Sequence, residues 1–305
     1  MKKLSNDIIS ISISDLGAEL RSLRKGDREY LWQGDEEFWR FRSPVLFPIV
    51  GSLWNGTYRT HGEIYTMKQH GFARDMNFLL IRESDSEIEY ELKTWQATLS
   101  TYPFYFRLSV IYSIHDNVVD VEWKVVNAGA DEMSFQIGAH PAFHFPLLSN
   151  EVIAAGTAAM KERLALDKER GYLLFDTDAE KLTTSVIAEK GCIDKEATKE
   201  LDLTERYLPI DTDTFNNDAL IFEDGQVQSV TLCNQEKVPY ITLKFDAPLV
   251  GLWSPSGKNA PFMCIEPWYG RADSVGFTGY LEDRKWIQHI KSGQQFKFKY
   301  QIIVE

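Results

Sequence analysis

The chain has 305 residues, of which 44% are hydrophobic and 26% are charged. This is the composition of a globular protein with a large core, and it excludes an intrinsically disordered chain. The 33 basic and 45 acidic residues give a formal net charge of −12, which argues against nucleic acid or an anionic membrane as partner, because both require a basic face.

The first half of the chain predicts short strands joined by turns. Ile8 to Ser14 alternates with a period of two, which is typical of a half-buried strand. Phe78 to Arg82 and Ile88 to Lys93 predict a strand pair. Phe104 to Ile114 and Val118 to Val126 predict a clear hairpin.

The second half continues this pattern. Ser134 to Phe145 predicts a strand that turns sharply at Pro141, so that His140 lies at a strand end directly before a proline. Ala154 to Leu166 and Lys195 to Leu203 predict short helices, although the first stretch is also compatible with a loop. Further strands are predicted over Val227 to Cys233, Tyr240 to Phe245, Leu249 to Trp253, Phe262 to Ile265 and Phe296 to Val304.

These elements together predict the fold class. The strands are many and short, and they do not alternate with helices of about ten residues, as parallel sheets require. We therefore expect an all-β protein, a large sandwich of antiparallel sheets with few short helices. No linker rich in Gly, Ser or Pro divides the sequence, so we expect a single domain over residues 1–305.

The stretch from Phe262 to Asp273 is the most informative for chemistry. An apolar run ends in Glu266, and Pro267 cannot donate to a sheet ladder, so we expect the strand to stop or bulge there and Glu266 to be its last residue. Partial burial in such a place raises the pKa of a carboxyl group toward the range useful to a base. The structural alternative is an ion pair between Glu266 and Arg271.

The cysteines and the N-terminus bear on the compartment. Three cysteines without a CxxC pair make a disulfide framework and a structural zinc site improbable and fit a reducing compartment. The N-terminus lacks the apolar segment of a signal peptide, and no run approaches the roughly 18 apolar residues that a membrane span requires. We expect a cytoplasmic protein.

His70, His140 and Glu266 are titratable residues in settings marked by glycine or proline. As metal ligands they have suitable chemistry but no HxxxH spacing. As a nucleophilic triad they lack a GxSxG serine. As a general acid and base they need only face one substrate, which is the least demanding arrangement. Each histidine taken singly is also compatible with a structural role.

Three further residues are candidates for substrate binding. Arg42 and Arg74 are set among apolar or glycine-containing residues, and a guanidinium fork can hold two sugar hydroxyls or an oxyanion. Asp218 at a strand entry can accept two vicinal hydroxyls. The structural alternatives are a pairing of Arg74 with Asp75 and, for Asp218, capping of a turn through Asn217.

Six motifs in order make the sequence similar to the aldose 1-epimerase (mutarotase) family, specifically its LacX-like branch. They cover nearly the whole chain: Phe47-Pro48-Ile49-Val50-Gly51, Gln69-His70-Gly71-Phe72-Ala73-Arg74-Asp75, Tyr102-Pro103-Phe104, Ile137-Gly138-Ala139-His140-Pro141-Ala142-Phe143, Asn217-Asp218-Ala219-Leu220-Ile221-Phe222 and Cys264-Ile265-Glu266-Pro267-Trp268-Tyr269-Gly270. The resemblance implies a galactose mutarotase-like β-supersandwich with a sugar cleft on one concave face.

The resemblance also implies roles for individual residues. Glu266 resembles the general base, His140 the general acid, and His70 the second active-site histidine, which helps to hold or protonate the ring oxygen. The implied substrate-binding residues are Arg74, Arg42 and Asp218. No metal and no cofactor are implied, because two positioned proton-transfer groups suffice for ring opening.

The implied function is interconversion of the α and β anomers of a hexose, in a monomer or homodimer whose partner is a small-molecule sugar. Two alternatives on the same fold are a non-catalytic carbohydrate-binding domain and a hexose-6-phosphate 1-epimerase. A third is a glycoside hydrolase in which Glu266 pairs with Asp218 or Asp273.

Overall fold

The structure is a computed structural model that describes residues 1–305. Its strands are β1 Lys2–Ser5, β2 Ile9–Ile13, β3 Leu20–Lys25, β4 Arg28–Glu29, β5 Val45–Leu46, β6 Thr57–Thr60, β7 Glu63–Thr66, β8 Leu79–Glu83, β9 Glu87–Lys93, β10 Phe106–His115, β11 Val118–Asn127, β12 Met133–Phe135, β13 Ile137–Ala139, β14 Ala142–His144, β15 Glu169–Phe175, β16 Lys181–Ile187, β17 Ile193–Asp202, β18 Tyr207–Asp211, β19 Leu220–Phe222, β20 Ser229–Cys233, β21 Pro239–Phe245, β22 Leu249–Trp253, β23 Phe262–Tyr269, β24 Gln288–Ile290 and β25 Gln295–Val304.

The helices are few and short. They are α1 Gln96–Leu99, α2 Asn150–Ala154 and α3 Thr157–Ala165, with 3₁₀ turns at Trp54–Gly56, Ala73–Asp75, Glu189–Gly191 and Leu281–Asp283. None of the helices has both the length and the apolar composition needed to cross a bilayer.

Two large antiparallel sheets dominate the fold. One has nine strands in the order β18-β15-β20-β21-β25-β11-β10-β9-β8. The other has eight, in the order β17-β16-β19-β22-β23-β13-β5, with β14 also paired to β23. A four-stranded sheet, β1 to β4, and two strand pairs complete the architecture. The prediction of an all-β fold of antiparallel sheets with few short helices is confirmed.

The eight-stranded sheet has two different faces because side chains alternate along a strand. On β23, Met263 and Ile265 belong to the main core, which also contains residues of the nine-stranded sheet such as Val121 and Ile302. Phe262 and Cys264 point to the other face and join a smaller cluster. The residues of the candidate site lie on this second face.

The main core includes residues from Leu4 to Val304. A shared core that uses both ends of the chain supports the prediction of a single domain over residues 1–305, which stays a prediction.

The prediction of a helix over Lys195 to Leu203 is wrong. These residues lie mostly in β17, which pairs with β16 in the register Leu182↔Leu201 and Thr184↔Lys199. The Lys- and Glu-rich sequence has helical propensity, but propensities span less than about 1 kcal/mol per residue, and strand pairing within a sheet overrides them.

The prediction that the strand stops or bulges at Pro267 is also wrong. β23 continues to Tyr269, so Glu266 lies inside the strand and not at its end. On one side β23 pairs without interruption with β22. On the other side its partner changes from β14 to β13, and the two are separated by His140 and Pro141. The Ile265 N–H donates to Pro141 O on this side of β23. Backbone nitrogens two residues apart on a strand point to the same side, so the nitrogen of Pro267 also faces this break. No hydrogen-bond donor is required there.

Candidate active site

A cavity of about 420 Å³ opens on the second face of the eight-stranded sheet. This volume lies within the range of small-molecule sites. Five of the six predicted site residues line it: Glu266, His140, His70, Arg74 and Asp218. The remaining lining residues are Trp39, Phe41, Gly51, Gln69, Ile187, Gly191, Ile193, Ala219, Ile221, Trp253, Trp268 and Ala272.

Trp268 is fixed against the sheet by two glycines on the neighbouring strands. Gly138 on β13 lies opposite Trp268, and Gly251 on β22 lies opposite Glu266. A Cβ atom at Gly138 would lie 2.4 Å from Trp268 Cδ1, and one at Gly251 would lie 2.5 Å from its Cη2. The missing side chains therefore provide the space that the indole occupies beside Glu266.

Glu266 and His140 form a close pair at this face. His140 leaves the sheet in the break between β13 and β14, and its Nε2 lies 3.2 Å from Glu266 Oε2. Both side chains are almost completely buried. Trp39 stacks on the His140 ring at 4.7 Å, and Trp253 contacts the ring edge-on at 5.6 Å. The imidazole is therefore held between aromatic rings and directed at the carboxyl group.

Burial determines the charge state of this pair. It raises the pKa of Glu266 well above its ordinary value, with a smaller contribution from the negative charge of Asp218. It also lowers the pKa of His140 well below its ordinary value, with added repulsion from His70 and Arg74. A pair with one proton has no net charge, so it avoids the cost of burying an unpaired carboxylate and the cost of burying an unpaired imidazolium. We therefore describe the two groups as one unit that holds a single proton.

His70 owes its position to an unusual backbone. It has a positive φ of 66°, and Gly71 follows at 72°, where a Cβ would lie 2.2 Å from Phe47 O. The Gly51 N–H donates to His70 Nδ1 at 3.1 Å. Burial lowers the pKa of His70 to about 3, so the ring is neutral near pH 7. With Nδ1 accepting, its proton is on Nε2, and His70 is a donor and not a base.

Arg74 follows in the 3₁₀ turn after His70. Its Nη2 donates to Gln69 O at 2.8 Å, and its guanidinium lies 4.8 Å from the centre of the Phe41 ring. Its buried Nε has no hydrogen-bond partner. The salt bridge of Asp75 is with the neighbouring Arg40, at 3.4 Å. Arg74 thus presents a cation with free donor capacity to the cavity.

Asp218 lies at the exposed rim, where its φ is 74°. Its Oδ1 accepts from the Ala219 N–H at 2.8 Å, and its side chain forms part of the cavity wall.

Arg42 is the predicted site residue that does not line the cavity. Its backbone N–H donates to Glu19 Oε1 at 2.7 Å, and its buried Nε has no partner. Its role in substrate binding stays a prediction without support from the cavity. The alternative pairing of Glu266 with Arg271 is wrong, because Arg271 Nε lies 3.5 Å from Glu223 Oε1.

Sequence reasoning missed part of the wall. Trp253 carries no motif. Trp39 and Phe41, in contrast, belong to the apolar, proline-broken run from Phe38 to Gly51, whose composition is typical of an irregular cavity wall. Ile187 and Ile193 come from the β16–β17 hairpin. Because a helix was predicted over Lys195 to Leu203, this hairpin was not predicted.

One group of side chains in this region has the composition of a metal site. Ligand atoms of His140, Cys264 and Glu266 all lie within 4.8 Å of one another. Two of these residues line the cavity, whereas Cys264 is fully buried and does not line it.

Comparisons with known proteins show which family the chain belongs to. The family model described as "Aldose 1-epimerase" matches residues 2–276. The chromosomal protein LacX of Lactococcus lactis subsp. lactis is 29% identical over 311 residues, which cover 99% of this chain and 98% of that protein.

Among the solved structures that match the whole chain are two with TM-scores of 0.88 and 0.87. A galactose mutarotase related enzyme from Lactobacillus acidophilus has a TM-score of 0.88 and 30% identity, with 97% of that chain covered. A galactose mutarotase-like protein from Lactobacillus casei ATCC 334 has a TM-score of 0.87 and 27% identity, with 100% covered. From the family match over residues 2–276 and these full-length relatives, we conclude that the chain belongs to the aldose 1-epimerase family.

Proposed function

We propose that the protein is an aldose 1-epimerase that interconverts the α and β anomers of a hexose, with Glu266 as general base and His140 as general acid. The observation that carries the proposal is the 3.2 Å separation of Glu266 Oε2 and His140 Nε2 in the wall of a sugar-sized cavity. Family membership supports the sugar epimerase class.

The reaction proceeds from the less populated form of the pair, in which the single proton is on His140 and Glu266 is a carboxylate. Glu266 takes the proton of the O1 hydroxyl while His140 gives its proton to the ring oxygen O5, and the C1–O5 bond breaks. C1 becomes an aldehyde carbon. The pair is then a carboxylic acid and a neutral imidazole, which is the distribution of the single proton that burial favours.

Rotation about C1–C2 presents the other face of the aldehyde to O5. The ring closes as O5 attacks C1, with His140 taking the O5 proton and Glu266 returning a proton to O1. The pair ends with the one proton it began with, so neither solvent nor another residue has to reset it. Two positioned proton-transfer groups typically contribute on the order of 10²–10⁴ each in rate.

The other polar residues of the wall hold the sugar. Neutral His70 donates from Nε2, which suits a ring oxygen or a hydroxyl acceptor. Arg74 and Asp218 hold hydroxyl groups, and they keep the open-chain form in a geometry from which the ring can close.

Charge favours an uncharged hexose over a hexose 6-phosphate. In the cavity wall the positive charge of Arg74 is balanced by the negative charge of Asp218, and the Glu266–His140 pair is neutral. The wall therefore has no net positive charge with which to bind a phosphate dianion. Glycoside hydrolysis is disfavoured because it relies on two carboxyl groups, whereas Glu266 is paired with the imidazole of His140 at 3.2 Å.

The test is polarimetry of freshly dissolved α-glucose and α-galactose with the unaltered protein, Glu266→Gln and His140→Asn. We expect the unaltered protein to accelerate the decay of optical rotation above the buffer rate, and both variants to lose that acceleration while they still bind sugar by calorimetry. Sugar binding without acceleration by the unaltered protein would instead identify a non-catalytic carbohydrate-binding domain.

A further inference from the structure

Cys264 lies two residues before Glu266 on β23, so both side chains point to the same face of the sheet. It is a free cysteine, fully buried, and the proposed reaction does not use it. One ligand atom each from His140, Cys264 and Glu266 lies within 4.8 Å of the other two. No other three His, Cys, Asp or Glu residues of the chain form such a group.

We propose that these three side chains bind a thiophilic divalent cation, of which Zn²⁺ is the representative, and that the bound cation inhibits the epimerase reaction. This inference goes beyond the proposed function, because it assigns a second ligand to the catalytic pair and a role to Cys264.

The ligand types and their spacing support a site of this kind. Imidazole nitrogen, thiolate sulfur and carboxylate oxygen are the three donors that zinc uses in proteins, at about 2.0–2.3 Å. Two such donors on a tetrahedral ion are about 3.3 Å apart, and His140 Nε2 and Glu266 Oε2 are 3.2 Å apart. Glu266 Oε2 is buried and has no aligned hydrogen-bond partner, so its lone pairs are available to an ion.

The charged side chains of the cavity wall leave room for a cation. Asp218 attracts a cation and Arg74 repels one, and these two effects oppose each other.

The cavity provides the route of entry. Glu266 and His140 line it, whereas Cys264 is fully buried and does not. An ion that enters through the cavity reaches Glu266 and His140 first, and the cavity leaves a fourth coordination position open to solvent. Because it occupies the lone pairs of Glu266 and His140 that transfer protons, the ion and the reaction exclude each other.

The experiment compares three proteins: the unaltered chain, Cys264→Ala, and the matched control Cys233→Ala, which removes another fully buried free cysteine on β20 of the nine-stranded sheet. Mutarotation is followed at increasing free Zn²⁺ in a zinc-buffered solution and normalised to each protein's own zinc-free rate. Removal of an outer-shell partner typically costs 10–100-fold in metal affinity, so loss of a direct ligand is expected to weaken inhibition by at least about 10-fold.

A second measurement does not depend on activity. Co²⁺ bound to a thiolate gives a ligand-to-metal charge-transfer band in the near ultraviolet, and we expect this band in the unaltered protein and in Cys233→Ala but not in Cys264→Ala. We also expect two protons to be released for each ion bound near neutral pH. These readouts test the metal site even if the protein has no epimerase activity.

Cys264→Ser serves as a second variant with nearly the original volume, should the alanine variant fold poorly by circular dichroism. Zinc sensitivity and a cobalt band in Cys264→Ser or Cys264→Ala equal to those of the unaltered protein would overturn the proposal. Absence of the charge-transfer band from the unaltered protein, or its loss in Cys233→Ala, would do so as well.

Discussion

The Nε2 atom of His140 lies 3.2 Å from the Oε2 atom of Glu266, and burial keeps this pair to a single proton. The base and the acid of the proposed reaction are thus one titrating unit. A change in either partner alters the protonation of the other.

The first prediction follows from this coupling. Glu266→Gln and His140→Asn should each reduce kcat by about 10²–10⁴, and the double variant should be no more impaired than the worse of the two. Residues that act as a unit show such non-additivity. Polarimetry of the three variants measures it, and losses that multiply in the double variant would show that the two residues act independently.

The second prediction separates the two arginines. Arg74→Met should raise KM by about 10- to 100-fold, because a hydrogen bond to a charged group contributes about 1.5–3 kcal/mol. Arg42→Met should leave KM close to that of the unaltered protein, because Arg42 does not line the cavity. Initial rates over a range of sugar concentrations give both values. The opposite ranking would restore the substrate-binding role expected for Arg42 from the sequence.

The third prediction concerns the space beside Trp268. Gly251→Ala would place a Cβ 2.5 Å from Trp268 Cη2, and overpacking of this kind costs about 1–3 kcal/mol in the free energy of unfolding. Trp268→Phe removes the atoms that collide, so Gly251→Ala should cost less in that background. Urea unfolding of the four proteins in this double-mutant cycle gives the coupling. An equal cost in both backgrounds would mean that the indole does not determine the need for glycine.

The fourth prediction concerns stability at low pH. Burial lowers the pKa of His144 to about 4, whereas an unfolded histidine titrates near 6.5. The unfolded chain therefore binds more protons below about pH 6.5, and the free energy of unfolding falls as the pH decreases from there toward 4. For this one group the loss at pH 5 is about 2 kcal/mol.

His144→Leu removes that titration. The difference in unfolding free energy between pH 8 and pH 5, measured with urea, should shrink by about 2 kcal/mol relative to the unaltered protein. A pH dependence identical in the two proteins would contradict the assignment of a neutral, buried His144.

Much of the site could be predicted from local patterns. The strand ending before His140 and Pro141 follows from the inability of proline to continue a ladder, and it is present. The same rule failed at Pro267. The nitrogen of Pro267 faces the break between β14 and β13, where no carbonyl oxygen needs a hydrogen bond from it, so the strand continues. A rule about one residue predicts the structure only when the partner strand is known.

The distance between His140 and Glu266 could not be predicted in this way, since it depends on how β13, β14 and β23 pair. The contribution of Ile193 was missed for a similar reason. The sequence after it has helical propensity, and only its pairing with β16 determines that it is a strand.

The β16–β17 hairpin supplies Ile187, Gly191 and Ile193 to the cavity, and β17 is the outermost strand of its sheet. Glu266 and His140, the residues of the proposed proton transfer, lie on or beside interior strands. Insertions or substitutions in this peripheral hairpin can reshape the cavity mouth while the reacting centre keeps its geometry. Selectivity among sugars can therefore diverge between members of the family without any change in how the ring is opened.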